Sequence, residues 1–392
     1  MGQEQSASGD GSSFEGITLS AFKILRNIGR GSFGKVAVAQ KLDTKKVYAL
    51  KYVSKETCLQ RGAFDNVVRE VKLLSQLNHP FIVNLWFSFQ DDEYLFSAYD
   101  LLCGGDLRFH LKTKGPFPLD QTKLYLLEVA LALEYLHQNR VLHRDVKPDN
   151  ILLDDFGHSH ITDFNIATWL EENTLATAFS GTTSYMAPEI FATSLNLTQG
   201  YSFAVDWWSL GITAYELVAG YRPYDIHHDS TTQYCYDTLH NTKIPVPQGA
   251  DQEFVQLLAG LLCVDSANRT QTVQAMESMV TIKIKDVLRK NVQPTFVPPK
   301  DTVNCDVTYE LEEMLIEDNS LQKRKGKRRA SAEPDPNWRE LERMAKEYPS
   351  YNREVLLQKE EERIRRLEEE LGIRPPPEED VIAKRLGRLD RT

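Results

Sequence analysis

Two short polar segments constrain this chain more than any other part of it. Residues 143–150 read His-Arg-Asp-Val-Lys-Pro-Asp-Asn, and residues 161–165 read Ile-Thr-Asp-Phe-Asn. The apolar pair Val-Leu immediately before the first segment predicts a short strand, so the charged residues would lie on a loop held by an apolar edge. The alternative is a solvated turn between two helices, which is what charge-rich loops usually are.

The residue types in these segments favour phosphoryl transfer. Asp145 can accept the proton of a hydroxyl group, and Lys147 can face the phosphoryl group that moves. Asn150 and Asp163 carry oxygen atoms of the kind that Mg²⁺ binds. The order of these residues, with a metal-type aspartate close behind the first segment, favours this chemistry over a solvated turn.

A glycine-rich segment upstream is the second candidate for contact with phosphate. Residues 29–36 read Gly-Arg-Gly-Ser-Phe-Gly-Lys-Val, and glycine lets backbone amides approach phosphate oxygens closely. Dinucleotide-binding folds share this pattern, but here it continues into a strand-like Val-Ala-Val rather than a helix. Lys51 follows in a second strand-like run. Glu70 lies on a predicted helix whose apolar residues recur at helical spacing.

At these residues the chain resembles the eukaryotic protein kinases. Ala-Pro-Glu at 187–189, Asp-Trp-Trp-Ser-Leu-Gly at 206–211 and Arg269 also match, and the resemblance covers roughly residues 22–282. The chain is similar to the group around cyclic-AMP-dependent protein kinase. It is more similar still to the YANK-type serine/threonine kinases, which share Asp-Phe-Asn and the sequence Tyr-Ser-Phe-Ala-Val-Asp-Trp-Trp-Ser found at 201–209.

The resemblance implies an α+β, two-lobed protein kinase fold. A small β-rich lobe would span residues 22–99, a hinge 100–106, and a large helical lobe 107–282. Strand-like runs occur at 82–85 and 94–96, and apolar spacing predicts a buried helix over 121–137. The other expected segments are a disordered arm (1–21), a tail wrapping the kinase domain (283–320), a basic linker (321–337) and a charged helical tail (338–392).

The resemblance also implies ATP and Mg²⁺ (or Mn²⁺) as cofactors. Lys51 would anchor the α- and β-phosphates with Glu70 as its ion-pair partner, and Tyr99 would limit the depth of the pocket. The residues expected to bind nucleotide are Ile28, Gly29, Gly31, Ser32, Phe33, Gly34, Val36, Ala49, Lys51, Glu70, Asp100, Leu102 and Leu152. Asp145, Lys147 and Asn150 are the expected catalytic residues, and Asn150 and Asp163 the metal ligands.

The expected substrates are proteins with basic residues before a serine or threonine. Lys147 together with Thr182 suits such a hydroxyl acceptor. Asp106, Asp149 and Glu216 fall where related kinases place carboxylates that receive substrate arginines. The alternative is that these are three unrelated surface acids.

The chain departs from the family at Asn165, where a glycine is usual. Asparagine is the residue that best replaces glycine in left-handed backbone, so we expect that conformation there and retained activity. A nucleotide-binding scaffold without turnover remains the rival function, and a small-molecule kinase a weaker third.

The activation segment departs as well. Ala178 replaces the usual phosphorylated threonine, with Thr177 adjacent as a candidate site. We expect the segment to order with little phosphate, with Glu171 or Glu172 facing Arg144.

Charge and composition bound the compartment and the partners. The net charge of −10 argues against a general nucleic-acid binder, and the five cysteines show no paired spacing, which fits a reducing, cytoplasmic location. No apolar stretch reaches the roughly 20 residues that span a bilayer. A monomer is expected. No phenylalanine follows Phe296, so regulation by the chain's own end through the docking pocket of the small lobe is expected to be absent.

Two further segments predict modification and weak membrane contact. The start Met-Gly-Gln-Glu-Gln-Ser fits myristoylation at Gly2, although such starts also arise by chance and one chain anchors only marginally. The basic run 323–329 is a solvated linker, an anionic-membrane contact assisting Gly2, or a nuclear address. Ser331 follows two arginines and resembles a target of a kinase of this kind.

Overall fold

The computed structural model describes residues 16–30, 34–274, 276, 282–299, 304 and 337–371, with only the backbone at Arg30 and 368–371. Its small lobe is built on an antiparallel sheet in the order β1-β2-β3-β5-β4-β10. In β3 the residues Tyr48, Leu50 and Tyr52 are buried and alternate with the more exposed Val47, Ala49 and Lys51, which is the two-residue period of a strand with one covered face. The strands are β1 (Phe22–Arg30), β2 (Lys35–Lys41), β3 (Val47–Ser54), β4 (Leu85–Gln90), β5 (Tyr94–Asp100) and β10 (Tyr351–Asn352).

Two helices complete the first part of the small lobe. Helix α1 (Lys55–Arg61) begins where the Ser54 hydroxyl accepts a hydrogen bond from the Thr57 amide, and this helix was not predicted. Helix α2 (Phe64–Leu74) is the predicted helix that carries Glu70, and its apolar side chains and Glu70 itself are buried.

The predicted strand over 82–85 is wrong. Regular pairing begins at Leu85, and Ile82 makes only an isolated bridge to Ile161. The backbone amides here find partners outside a ladder, since Val83 donates to the Ile161 carbonyl and Asn84 donates to the Asp100 carboxylate. An apolar run can therefore be buried without pairing as a strand.

The large lobe is helical and is organised around α4 and α6. Helix α4 confirms the helix predicted over 121–137, and α6 buries Trp207 and Trp208. The helices and strands of the large lobe are α3 (Leu107–Lys114), α4 (Leu119–Gln138), β6 (Val141–Leu142), β7 (Ile151–Leu153), β8 (Ser159–Ile161), β9 (Thr168–Trp169), α5 (Pro188–Ser194), α6 (Ala204–Ala219), α7 (Thr232–Asn241), α8 (Gln252–Leu261) and α9 (Ile284–Leu288). The two-lobed α+β fold is the predicted one.

A segment near the carboxyl-terminal limit of the described residues packs on the small lobe. Helix α10 (Trp338–Glu347) leads through buried Tyr348 to β10, which pairs with β4, and to helix α11 (Arg353–Leu371). The Tyr348 hydroxyl donates to the Phe96 carbonyl at 2.8 Å, and buried Arg353 donates to the Asn78 side chain.

The charged tail is therefore docked at its start rather than exposed throughout. The end of the chain reaches the small lobe without any phenylalanine, and this contact was missed. None of the helices in the described part of the chain combines the length and apolar character that crossing a bilayer requires.

Candidate active site

The loop that carries Asp145 is held in place by a buried carboxylate. Asp206, fully buried in α6, accepts hydrogen bonds from the backbone amides of His143 at 3.0 Å and Arg144 at 2.8 Å. His137 bonds the same carboxylate at 2.9 Å. Burial alone raises the pKa of Asp206, but the bonds from His137 and the loop outweigh burial and lower it, so the group stays ionised. These bonds fix a loop whose Arg144 has left-handed backbone, with φ of 70°.

Three side chains converge on the Asp145 carboxylate. Lys147 Nζ lies 2.7 Å from Oδ2, Asn150 Nδ2 lies 2.8 Å from Oδ2, and the Thr182 hydroxyl donates to Oδ1 at 2.6 Å. Lys147 also contacts the Thr182 hydroxyl at 2.7 Å. The residues predicted for catalysis therefore lie together, with Thr182 beside them.

The Asp145 carboxylate is ionised in this arrangement. Burial raises its pKa, but the hydrogen bonds from Lys147 and Thr182 outweigh burial and leave the pKa below the ordinary value. A carboxylate of this kind can orient a hydroxyl group and accept its proton as the oxygen attacks.

The Lys51 ammonium group joins the two lobes at the site. It lies 2.9 and 2.8 Å from the two oxygens of Glu70 and 3.4 Å from Asn165 Oδ1. The Tyr99 hydroxyl donates to Glu70 at 3.2 Å. The predicted ion pair is thus formed, and it links β3 and α2 to the segment that carries Asp163.

Asn165 does not adopt the left-handed backbone expected of it. The left-handed residue is Asp163, with φ of 61°. The asparagine contributes its side chain instead, because its amide nitrogen donates to Asp163 Oδ1 and its amide oxygen faces Lys51. The prediction transferred the backbone role of the usual glycine to this position, and that part is wrong.

The donor set suits a magnesium–nucleotide complex. The Thr162 amide donates to the Asn150 carbonyl at 2.9 Å, which brings Asp163 next to Asn150. The described residues contain no group of three or more His, Cys, Asp or Glu side chains that could enclose a metal by themselves. Mg²⁺ characteristically takes one or two protein oxygens and completes its shell with water and substrate phosphates, so these residues fit that ion.

The glycine-rich segment lies at the edge of the sheet, with Gly31, Ser32 and Phe33 outside the described residues. A Cβ on Gly29 would meet no atom within 4 Å, whereas a Cβ on Gly34 would collide with the Tyr52 carbonyl oxygen. Gly29 therefore borders open space, as a phosphate-covering residue would, and Gly34 is required by the close approach of β3.

The predicted adenine residues border a cleft rather than the sealed core. All five are only partly buried: Ile28, Val36, Ala49, Leu102 and Leu152. Ala49 and Leu152 are so between buried neighbours on both sides in their strands. Asp100 ends β5, and its carboxylate accepts hydrogen bonds from Trp86 and Asn84. The Asp100 backbone amide also has a partner within the chain, because it donates to the Asn84 carbonyl at 3.1 Å.

The three acids predicted to receive substrate arginines already have partners within the chain. Asp106 begins α3 by accepting a hydrogen bond from the Phe109 amide. Arg108 pairs with Asp149 at 3.1 Å and with buried Glu216 at 2.8 Å. The acids do lie in one region, but Arg108 was missed.

The activation segment is held by contacts within the chain. The Arg144 side chain donates to the Ile166 carbonyl, and β9 pairs with β6. Ala176 and Tyr201 exchange backbone hydrogen bonds next to Thr177, which is exposed. The expectation that Glu171 or Glu172 faces Arg144 is wrong, because Arg144 is used by the Ile166 carbonyl and Glu172 lies 3.4 Å from Arg140 instead.

Two other predicted features have mixed outcomes. Arg269 and Glu189, both in segments that match the family, pair through two contacts of 2.6 and 2.9 Å inside the large lobe. Asn304 donates to the Cys103 carbonyl in the hinge at 3.1 Å, so this part of the tail does contact the kinase domain. Gly2, Ser331 and the basic run 323–329 lie outside the described residues.

Sequence reasoning missed three residues whose signals were weak. Asp206 was noted only as part of a motif, although a buried aspartate in an apolar helix predicts a hydrogen-bonded role. Arg108 and Arg353 each read as an ordinary surface charge, and nothing in their local sequence marks them as buried.

Comparisons with known proteins agree with this geometry. Residues 22–280 match the protein kinase domain family. The chain is 48% identical over 314 residues to mouse serine/threonine-protein kinase 32C, covering 79% of this chain and 64% of the mouse protein. It is 47% identical over 314 residues to human serine/threonine-protein kinase 32B, covering 79% of this chain and 76% of that protein.

A third relative extends the match to the wider group. The chain is 37% identical over 257 residues to cAMP-dependent protein kinase type 3 of Saccharomyces cerevisiae, covering 66% of this chain and 62% of the yeast protein. The chain therefore spans less than two thirds of the mouse and yeast relatives. The family match, the relatives and the converged catalytic loop lead to one conclusion: the chain belongs to the protein kinase family, among its serine/threonine kinases.

Proposed function

We propose that this chain transfers the γ-phosphoryl group of ATP to serine and threonine hydroxyls of protein substrates. The observation that carries the proposal is the convergence of Lys147, Asn150 and Thr182 on the Asp145 carboxylate, beside the Lys51–Glu70 pair. Each group in that arrangement has a separate task in phosphoryl transfer.

The residues divide the work as follows. Asp145 orients the acceptor hydroxyl and takes its proton, while Lys147 neutralises charge that develops on the phosphoryl oxygens. Lys51, held by Glu70, binds the α- and β-phosphates, and the amides near Gly29 cover them. Asn150 and Asp163 would hold Mg²⁺, which would offset the negative charge of the phosphates.

The decisive experiment is radiolabel transfer from ATP to serine and threonine peptides by the full chain and by Asp145→Asn. The variant removes the proton acceptor but keeps the shape of the side chain. We expect transfer to fall by about 10²–10⁴-fold, the usual worth of a positioned base, with nucleotide affinity little changed. Equal transfer by both proteins would refute the assignment of Asp145. ATP binding without any transfer by the unmodified chain would favour the scaffold function instead.

We further propose a preference, of whatever strength, for substrates that carry basic residues before the target. Asp106, Asp149 and Glu216 carry three negative charges against the single positive charge of Arg108, so the region keeps an excess of negative charge. Asp149 is exposed and is the acid best placed to meet a substrate cation. A peptide screen that selects acidic residues would contradict this preference.

The cellular setting is proposed from the sequence alone. A cytoplasmic enzyme, myristoylated at Gly2 and drawn weakly to anionic membranes by residues 323–329, fits the composition, and the same basic run fits nuclear entry. Phosphate on Ser331 would weaken lipid attraction, and phosphate on Thr177 is a further candidate modification. Intact-mass measurement of the protein from cells tests the lipid and both phosphates.

A further inference from the structure

One arginine of the chain occupies the carboxylates next to the catalytic loop. Arg108 lies in the first turn of α3, immediately after the stretch that links the two lobes. Its Nη1 and Nη2 atoms lie 2.8 and 3.0 Å from the two oxygens of Glu216, and its Nε atom lies 3.1 Å from Asp149 Oδ2. This is the two-pronged pairing that makes arginine the preferred partner of a carboxylate.

The pair is enclosed. The side chain of Glu216 is 6% exposed and that of Arg108 is 19% exposed. The Tyr185 hydroxyl also donates to Glu216, which completes its set of partners. Removing one member of a buried, hydrogen-bonded ion pair leaves the other charge uncompensated and is strongly unfavourable. An incoming cation therefore cannot take Glu216 without first displacing Arg108.

The position of the pair relates it to substrate. Asp149 is a neighbour of Asn150 and lies two positions after Lys147, so the guanidinium group sits beside the loop that holds the acceptor hydroxyl. Under the substrate preference proposed above, the segment of the substrate before that hydroxyl would run past Glu216 and Asp149. In this chain Arg108 pairs with both carboxylates, of which Glu216 is enclosed and Asp149 is exposed.

We propose that Arg108 fills from within the chain the carboxylate site that would otherwise receive an arginine of the substrate, and so keeps selection for basic peptides weak. This inference rests on the proposed kinase activity and adds a specificity-determining residue to it. Arg108 touches none of the reacting groups described above, so its removal changes the choice of peptide rather than the chemistry.

The test compares matched peptides that carry arginine or alanine at each position before the target serine. The measured quantity is the ratio of kcat/KM for the arginine and alanine peptides, in the full chain and in Arg108→Met. Methionine keeps the apolar stem but frees Glu216. We expect the ratio to rise about tenfold or more at one position, as for one new charge-assisted pair.

Two controls distinguish release of the Glu216 carboxylate from a general change in the charge of the protein surface. Lys112→Met removes a positive charge one turn further along the same helix, from an exposed side chain, and should leave the ratio unchanged. Arg108→Met combined with Glu216→Gln removes both members of the pair and should abolish the gain. An equal rise in Lys112→Met, or a gain that survives loss of Glu216, would overturn the inference.

The inference can still be tested if Arg108→Met does not fold. If Arg108→Met is unstable, Arg108→Lys keeps the charge but cannot pair with both carboxylates, and the ratio should then rise by a smaller factor. If Arg108→Lys or Arg108→Met folds and still phosphorylates peptides but leaves the ratio unchanged, the inference about Arg108 is wrong and the proposed kinase activity stands. A full chain that phosphorylates no peptide overturns the proposed function as well, so the two failures are distinguishable.

Discussion

The docked end of the chain provides a quantitative prediction about Arg353. This side chain is buried at the junction of β10 and α11, where it donates to Asn78 and, over longer distances of 3.3 and 3.5 Å, to the carbonyls of Leu77 and Leu85. Its guanidinium carbon also lies 5.5 Å from the centre of the Trp86 ring. Arg353→Met keeps the apolar stem and removes all of these interactions.

The magnitude follows from the contacts. The hydrogen bond to Asn78 involves a charged donor and contributes about 1.5–3 kcal/mol, and the contact with Trp86 adds about 0.5–2 kcal/mol. The two longer bonds add little. A total of about 3 kcal/mol corresponds to roughly a hundredfold change in an equilibrium constant. Undocking of the chain end should become about a hundredfold more frequent.

Amide hydrogen exchange measures that equilibrium directly. Peptides that contain Tyr351 and Asn352 should exchange about a hundredfold faster in Arg353→Met, while the paired strands β2 and β3 should be unchanged. Arg363→Met is the matched control, because that arginine lies on the same helix with a side chain that is 64% exposed. Unchanged exchange at Tyr351 and Asn352 would refute the view that Arg353 anchors this segment.

The remaining predictions concern a buried carboxylate and a buried histidine. Asp206→Asn should lower kcat by about a hundredfold, the typical effect of small misplacement, because an amide cannot accept from both His143 and Arg144; steady-state kinetics with unchanged kcat would contradict this. Burial, with smaller effects of nearby positive charges, lowers the pKa of His79 from 6.5 to about 3. Below about pH 6.5 the unfolded chain therefore binds a proton that the folded chain does not. The free energy of unfolding consequently decreases as the pH is lowered. The loss is up to about 2 kcal/mol by pH 5. Denaturant titrations should show that His79→Asn removes this component, and an equal slope in the variant would exclude His79 as its source.

The sequence predicted those parts of the fold and site that depend on local patterns. Residues 143–150 and Asp163 are recognisable because each residue type has its own chemical task and their order is fixed. Helices α2 and α4 were predicted since apolar residues recur on one face over several turns. The strand over 82–85 failed because burial and strand pairing give the same apolar signal in a short run.

Contacts between distant segments could not be predicted in this way. Arg108 is partly buried and Arg353 fully buried by partners far along the chain, and a single charged residue carries no sign of its partner. Asn165 shows a related difficulty. Its replacement of glycine suggested a backbone effect, whereas the structure uses the side chain, because the left-handed angle belongs to Asp163.

Strand β10 also has a consequence for how the protein is made. Strand β4 carries β5 on one side, and among the described residues Tyr351 and Asn352 are the ones that pair with its other edge. During synthesis the whole large lobe emerges between these strands, so that edge stays open for on the order of ten seconds or more. An open edge is a template for pairing with another chain. A ribosome-bound or shortened chain that ends before Tyr348 should therefore be the form most prone to self-association and most dependent on chaperones.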